Sequence, residues 1–347
     1  MSKSITVAQV GCGYWGPNLL RVFSAQSNCS VKWVAEASPA RRAFVEANFP
    51  NTKTCVDVET VLNDPSVDAV IIATPAATHA GLVERFLNAG KHVLVEKPLT
   101  TNVADANRLA ALADAKGRVL MVGHTFLYNA SVRYMKAMID SGDIGDIYYC
   151  YSQRLNLGQL RQDVNAWWNL APHDVSIMLH LMNGLLPAAV SARGVDYLQQ
   201  GIEDVTFATL EWANRVTGTI HVSWLDPNKV RKLTVVGSKK MIVYDDVSEN
   251  PITIYNKGFE KVKRDGLPFD QPAHAWKPQH GDVIMPAFER REPLRVECEH
   301  FIDCILKGAR PLTDGWHARD TVAVLDAVDR SQRNGGQRTE CATAAQS

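Results

Sequence analysis

The chain lacks an excess of charge of either sign: 37 Lys and Arg stand against 37 Asp and Glu in 347 residues. A protein that binds nucleic acid or an anionic membrane surface needs a basic face, and this balance gives no sign of one, so neither partner is expected. No apolar run approaches the roughly 20 residues that cross a bilayer. The polar start Met1-Ser2-Lys3-Ser4 leads straight into a strand-like segment without a secretory leader pattern, and a cytoplasmic location is expected. The seven cysteines are odd in number and scattered without a CxxC pair, which argues against a disulfide framework and a structural zinc site. The ten histidines show neither HxxxH nor HExxH spacing, so no metal is expected. Internal repeats and low-complexity segments are also missing.

What the chain does have is concentrated at its start. The apolar run Ile5 to Val10 meets Gly11-Cys12-Gly13-Tyr14-Trp15-Gly16 and opens into a helical pattern beginning at Pro17. In a dinucleotide-binding turn the first glycine allows the tight bend, the second lets backbone amides approach a pyrophosphate, and the third lets the helix pack on the sheet. Pro17 suits a first helical turn, where its missing N–H would be unpaired anyway. A second strand-like run, Val31 to Ala35, ends in Glu36, about twenty residues past the last glycine, where a carboxylate would hold a ribose diol. That carboxylate repels a 2′-phosphate and favours NAD over NADP, although Arg41 and Arg42 follow closely enough to offset the repulsion.

A length of 347 residues suggests two domains. The first third alternates apolar runs (Ile5–Val10, Val31–Ala35, Ala69–Ala73, His92–Val95, Val119–Val122) with helical patterns at Pro39–Asn48, Ala76–Ala89 and Val103–Ala115. This predicts a doubly wound parallel sheet with helices on both faces. Gly90 and Gly117 fall where helix ends call for a left-handed residue. Past about residue 125 the period drops to two, as in Gly218–Trp224, and interposed helices thin out, so a large, mostly antiparallel sheet is expected. The expected class is α/β plus α+β: a Rossmann domain over 1–125, an α+β substrate-binding and oligomerisation domain over 126–333, and a frayed polar tail over 334–347.

Ligands bind beyond the carboxyl ends of the strands in an open parallel sheet. That rule picks out Thr74-Pro75 with Thr78-His79 for the cofactor's second phosphate and ribose, Glu96-Lys97-Pro98 after the next strand, and His124 after the one beyond. An ammonium at Lys97 would stabilise the charge developing on a substrate oxygen during hydride transfer. His173 is the second candidate. Pro172 reads as the first residue of a helix, which puts His173 in the first turn, where the positive end of the dipole keeps an imidazole neutral and available as a base.

Taken together, these residues resemble the glucose-fructose oxidoreductase / inositol dehydrogenase / MocA (Gfo/Idh/MocA) family. The resemblance runs through Gly11–Gly16, Thr74-Pro75 with Thr78-His79, Glu96-Lys97-Pro98, Asn169 to Asp174, and Cys298-Glu299-His300-Phe301. It implies a Rossmann domain followed by an α+β domain, homodimers or homotetramers formed through the second sheet, and Lys97 and His173 flanking the nicotinamide and the reacting carbinol. Many members carry an aspartate where this chain has Asn169, and an amide cannot stabilise a charged imidazole, unless Asp163 or Asp174 takes over. The segments Val122–Asn129 and Tyr151–Gly158 are similar to members acting on nucleotide-linked sugars, which implies that Arg154, Asn156 and Arg161, with His124 and Asn169, hold the sugar and its diphosphate.

The expected function is hydride transfer between NAD and a secondary carbinol of a pyranose, C3 of a nucleotide-linked amino sugar in particular. The alternatives are an inositol or free-sugar dehydrogenase, a redox-neutral lyase or glycosidase that uses NAD, and a cofactor-binding sensor or scaffold.

Overall fold

Short apolar runs separated by amphipathic helices bury both of their faces, which is what a helix-covered parallel sheet demands. The computed structural model describes residues 4–263 and 274–341. Its first part runs β1 (Ile5–Val10), α1 (Gly16–Ser24), β2 (Cys29–Ala35), α2 (Pro39–Asn48), β3 (Lys53–Cys55), α3 (Val58–Leu62), β4 (Ala69–Ile72), α4 (His79–Asn88), β5 (His92–Val95), α5 (Val103–Lys116) and β6 (Leu120–Val122). The six strands form one parallel sheet in the order β3-β2-β1-β4-β5-β6. Strand order reverses between β1 and β4, which makes their carboxyl ends the switch point where a dinucleotide lies. The three-residue edge strand β3 is absent from the sequence expectation, because Lys53-Thr54-Cys55 has no apolar run to mark it. Gly90 and Gly117 both adopt positive φ, 75° and 59°, as helix-closing residues should.

The second part contains α6 (Ala130–Asp140), β7 (Ile147–Leu157), α7 (Ala166–Leu181), β8 (Ala189–Val195), β9 (Val205–Glu211), β10 (Thr217–Ser223), β11 (Leu225–Gly237), β12 (Met241–Asp245), β13 (Ile252–Lys263) and β14 (His274–Ile284), then α8 (Pro293–Lys307), α9 (Gly315–Arg333) and β15 (Thr339–Glu340). Nine strands form one sheet, β14-β13-β12-β11-β7-β10-β9-β8-β15, antiparallel except for the parallel pair β7–β10. Period-two alternation sorts its faces. Ile220 and Val222 of β10 are buried, with α7 on their side, while Thr219 and His221 point the other way. Among the described residues no helix is long and apolar enough to cross a membrane.

The chain divides into two units. The first runs to Asn129 and also takes Arg291–Asp326, while the second takes Ala130–Arg290 and Ala327–Cys341. Residues 291–326, expected with the C-terminal portion, therefore group with the Rossmann unit. The physical reason is α8, whose Phe301 meets Phe23 of α1 edge-on at 6.3 Å between ring centroids. Residues 334–341, expected to fray, are tied down instead. β15 pairs with β8, the Gly336 amide donates to the Ser331 carbonyl at 2.8 Å, and Arg338 pairs with Glu211 at 2.9 Å. The rest of that tail, 342–347, lies outside the described residues.

Phe301 and Phe23 are both fully buried. Phe301→Ala is expected to cost about 3–5 kcal/mol, because the cavity left beside α1 collapses only partly. Urea unfolding of the variant against the parent chain measures this, and a loss under about 1 kcal/mol would show that α8 does not help to close the first unit.

Candidate active site

The glycine-rich turn is shaped from within by a polar side chain inside an otherwise apolar strand. Gln9 of β1 is fully buried, and its Nε2 donates to the carbonyls of Gly11 at 2.9 Å and Gly16 at 3.1 Å. Gly11 has φ +87°, and a Cβ there would lie 2.7 Å from the Ala73 carbonyl oxygen at the end of β4, so only glycine lets the two strand ends approach this closely. At Gly13 a Cβ would meet nothing within 4 Å, Tyr14 is 91% exposed, and Trp15, at the N-cap position before α1, gives the helix no side-chain cap. Uncapped amides at the positive end of a helix, over an open turn, fit the pyrophosphate of a dinucleotide.

Glu36 sits where the ribose carboxylate was expected. Its Oε2 accepts the Cys12 amide at 2.6 Å and its Oε1 accepts the Ser38 amide at 2.8 Å. A carboxylate has about four acceptor positions, so two remain for a ribose diol. Arg41 donates to the Cys12 carbonyl at 2.7 Å, and Arg42 to the carbonyls of Glu36 and Ala37 at 2.8 Å. Both guanidinium groups thus brace the turn around Glu36.

The ends of β4, β5 and β6 bring the next group together. The hydroxyls of Thr74 and Thr78 meet at 2.7 Å beside the exposed Pro75. His79 departs from the expectation that it touches the cofactor. It is buried, with Nδ1 2.8 Å from the Pro98 carbonyl and Nε2 2.9 Å from the Thr74 carbonyl, so both ring nitrogens are committed to linking the end of β4 to the residue after Lys97. Burial also pulls its pKa down, against the raising effect of the two carbonyls. The Lys97–Pro98 bond is cis. Glu96 is partly buried, and burial pushes its carboxyl up to about 7 against the lowering pull of Lys97 and of the Trp15 indole, which hydrogen-bonds it. His124 is 2% exposed, and neither ring nitrogen has a hydrogen-bond partner among the described residues. Burial, with His317 and Lys97 nearby, holds it well below the ordinary histidine range and therefore neutral.

In the second unit the structure corrects the reading of α7. The helix starts at Ala166, with the Asn165 side chain accepting the Trp168 amide at 3.0 Å, and Pro172 lies inside it. His173 is thus in the second turn, and the first-turn dipole argument for its neutrality does not apply. Asn165 is the real start signal, masked by Pro172, because proline usually opens helices rather than interrupting them. Arg154 is 5% exposed, and its Nε donates to the Asp174 carboxylate at 2.6 Å. Arg154 was expected to hold a diphosphate, and Asp174 stood open as a relay for His173, but the two are engaged with each other. Arg161 likewise forms a two-pronged pair with Asp163, at 2.7 and 2.8 Å. The Asn169 side-chain oxygen accepts from the Trp224 indole at 3.2 Å. Asn156 lies partly buried on β7. Gln9 and Glu297 are absent from the residues that the sequence pattern selects. Each nonetheless carries a signal: Gln9 is a polar residue in an apolar run, and Glu297 is a charge on the apolar face formed by Leu294, Cys298 and Phe301.

A six-stranded Rossmann sheet with an open glycine-rich turn and an acidic residue ending β2 defines an NAD-binding protein of the oxidoreductase class. Two family models agree along the chain: the oxidoreductase family, NAD-binding Rossmann fold model matches residues 5–124, and the GFO/IDH/MocA C-terminal domain model matches residues 132–243. The chain belongs to the Gfo/Idh/MocA family. It is similar to a solved protein of Magnetospirillum magnetotacticum MS-1 classed as an oxidoreductase, at 30% identity and TM-score 0.77, over 94% of this chain and 100% of that one. The scyllo-inositol 2-dehydrogenase (NAD(+)) of Bacillus subtilis is 24% identical over 94% of this chain and 95% of its own length. The dTDP-3,4-didehydro-2,6-dideoxy-alpha-D-glucose 3-reductase of Streptomyces violaceoruber is 39% identical over 42% of each chain. The matches to the first three curated relatives span only 52%, 57% and 62% of those proteins.

Two outcomes test this geometry. Arg154→Leu leaves a buried carboxylate uncompensated and is expected to cost about 3–5 kcal/mol, most of it recovered when Asp174→Leu is added. Chemical denaturation of the single and double variants checks this, and a single variant as stable as the parent would overturn it. Glu36→Ala is expected to weaken NAD binding about tenfold while leaving NADP binding unchanged or tighter, as read by titration calorimetry.

Proposed function

We propose that this protein is an NAD-dependent dehydrogenase that moves a hydride between nicotinamide C4 and a secondary carbinol carbon of a sugar ring, with C3 of a nucleotide-linked pyranose as its substrate. The observation that carries the reading is the carboxyl edge of the first sheet, where the uncapped glycine-rich turn, Glu36, the Thr74–Thr78 hydroxyls and Lys97 end adjacent strands. When bound, NAD supplies the hydride acceptor. Lys97 donates to the substrate oxygen and stabilises its charge as the C–H bond breaks, and His173 takes up the hydroxyl proton. His124, expected at the substrate, is buried with both ring nitrogens closed to solvent, so no substrate contact is assigned to it. Of the three similar proteins described above, one is by name an inositol 2-dehydrogenase and another a dTDP-sugar 3-reductase. The second favours the nucleotide-linked substrate.

The open face of the nine-stranded sheet supports assembly of copies. Phe207 stacks on His221 at 4.1 Å, and Tyr149 and Tyr151 stack at 6.3 Å, all on the face away from α7. We read this face as the one through which a homodimer or homotetramer forms.

Purified protein mixed with NAD and, in turn, nucleotide sugars, inositols and free hexoses tests the activity through the absorbance of reduced cofactor. Turnover is expected with a nucleotide sugar, and turnover confined to inositols would overturn the substrate assignment. Lys97→Met is expected to bind NAD normally and to lose at least about 100-fold in kcat. Unchanged turnover would remove Lys97 from the chemistry.

A further inference from the structure

The amino ends of β5 and β6, at the opposite end of the first sheet from the glycine-rich turn, border a cavity of about 330 Å³. Its walls come from the first unit alone: the last turns of α5 and α8, the loop through Pro311 and the start of α9. That volume is at the lower end of what small-molecule sites occupy. Close packing fixes the walls. A Cβ at Gly315, where α9 begins, would stand 3.0 Å from the Leu120 side chain and 3.1 Å from Ala110, so α9 is seated directly on α5 and β6. Ala113, Ile305 and Pro311 complete an apolar lining.

One contact in that lining cannot be satisfied within the chain. His92, at the start of β5, faces two N–H donors. The Val119 amide donates to its Nδ1 at 2.9 Å, and Nη1 of Arg118 lies 3.4 Å from its Nε2. A neutral imidazole has only one acceptor nitrogen. The Val119 amide, held in the backbone and at the shorter distance, takes Nδ1, so the ring hydrogen sits on Nε2 and meets the guanidinium donor against donor. Burial, with the Arg118 charge beside it, pulls this imidazole down to about 4 and keeps it neutral. Among the described residues the exposed Arg118 pairs with no carboxylate. The two acids of the lining are already answered: Asp114 accepts the Trp316 indole at 2.7 Å, and Asp314 pairs with Arg310 and accepts the His317 amide at 2.8 Å. Two donors thus converge beside an apolar wall, and an acceptor that both can reach resolves the conflict.

We propose that this cavity binds a small organic monocarboxylate, its two oxygens accepting from the Arg118 guanidinium and the His92 Nε2–H and its carbon body lying along Ala110, Ala113, Ile305 and Pro311. Two donors match the two oxygens of a carboxylate. A phosphate dianion would ask for more donors and would meet the Asp114 and Asp314 carboxylates, while an uncharged molecule would leave the guanidinium unmatched. The site is separate from the carboxyl edge of the sheet where NAD belongs, so it neither needs the cofactor nor competes with it, and it stands whatever the substrate of the protein is.

Hexanoate serves as the probe and hexanamide as its uncharged counterpart, read by titration calorimetry and saturation-transfer NMR on the full-length protein at low ionic strength. Hexanoate is expected to bind the parent chain saturably, with or without NAD, and at least about tenfold more tightly than hexanamide. Arg118→Met is expected to weaken hexanoate about tenfold. His92→Asn, whose side-chain oxygen still accepts the Val119 amide but which has no N–H at the Nε2 position, is expected to do the same, and both variants should bind NAD as the parent does. No saturable binding to the parent, or equal binding to the parent and Arg118→Met, overturns the site. Hexanoate displaced by NAD puts the probe at the other end of the sheet and overturns it too. Hexanamide binding as tightly as hexanoate, or inorganic phosphate binding more tightly, overturns the carboxylate as the ligand class.

Discussion

The close approach of two strand ends constrains everything at the candidate site. Gly11 closes β1 within van der Waals distance of the Ala73 carbonyl at the end of β4, at the one place in the parallel sheet where strand order reverses. A side chain at Gly11 would force those ends apart and with them the turn that presents the uncapped amides of α1. Gln9 reinforces the same constraint from the core side by bridging Gly11 and Gly16. Glu36 reinforces it from the rim by accepting two backbone amides. Bonds within the chain thus fix the shape of the turn, which is the preorganisation that tight dinucleotide binding needs.

Each unit also buries charge, and the two do so differently. In the second unit Arg154 and Asp174 neutralise each other beneath α7, fixing the helix that carries His173 against β7. Such a pair contributes more through the cost of breaking it than through net stability. In the first unit Glu297 is buried on α8 with its Oε2 accepting the Thr125 hydroxyl, and burial, with the charge of Glu96, drives its carboxyl above the ordinary range.

Much of the fold could be read from the chain because local pattern and tertiary role coincide. β1, β5 and α2 begin and end where periodicity and turn residues put them, and Gly117 closes α5. Reading failed where a local signal had two meanings. Pro172 looked like a helix start and is a helix interior, because Asn165 had already capped the segment. Arg154 looked like a phosphate donor and is a buried ion-pair partner. His79 looked like a cofactor contact and is a brace between two backbone carbonyls. In each case residue type fixed what the side chain can donate, but not what it would meet.

The sequence by itself determined the class of the first unit, the position of its glycine-rich turn and the carboxylate that follows β2 at Glu36, since these depend on glycines, an apolar period and an acidic residue at short separations along the chain. Tertiary structure alone decided that residues 291–326 join the Rossmann unit, that Glu297 meets the Thr125 hydroxyl, and that Arg154 answers Asp174. Arg154 and Asp174 stand 20 positions apart in the chain, and Phe23 and Phe301 stand 278 apart. Their partners are chosen by how helices pack on sheets, and nothing in the local pattern around either residue encodes that choice.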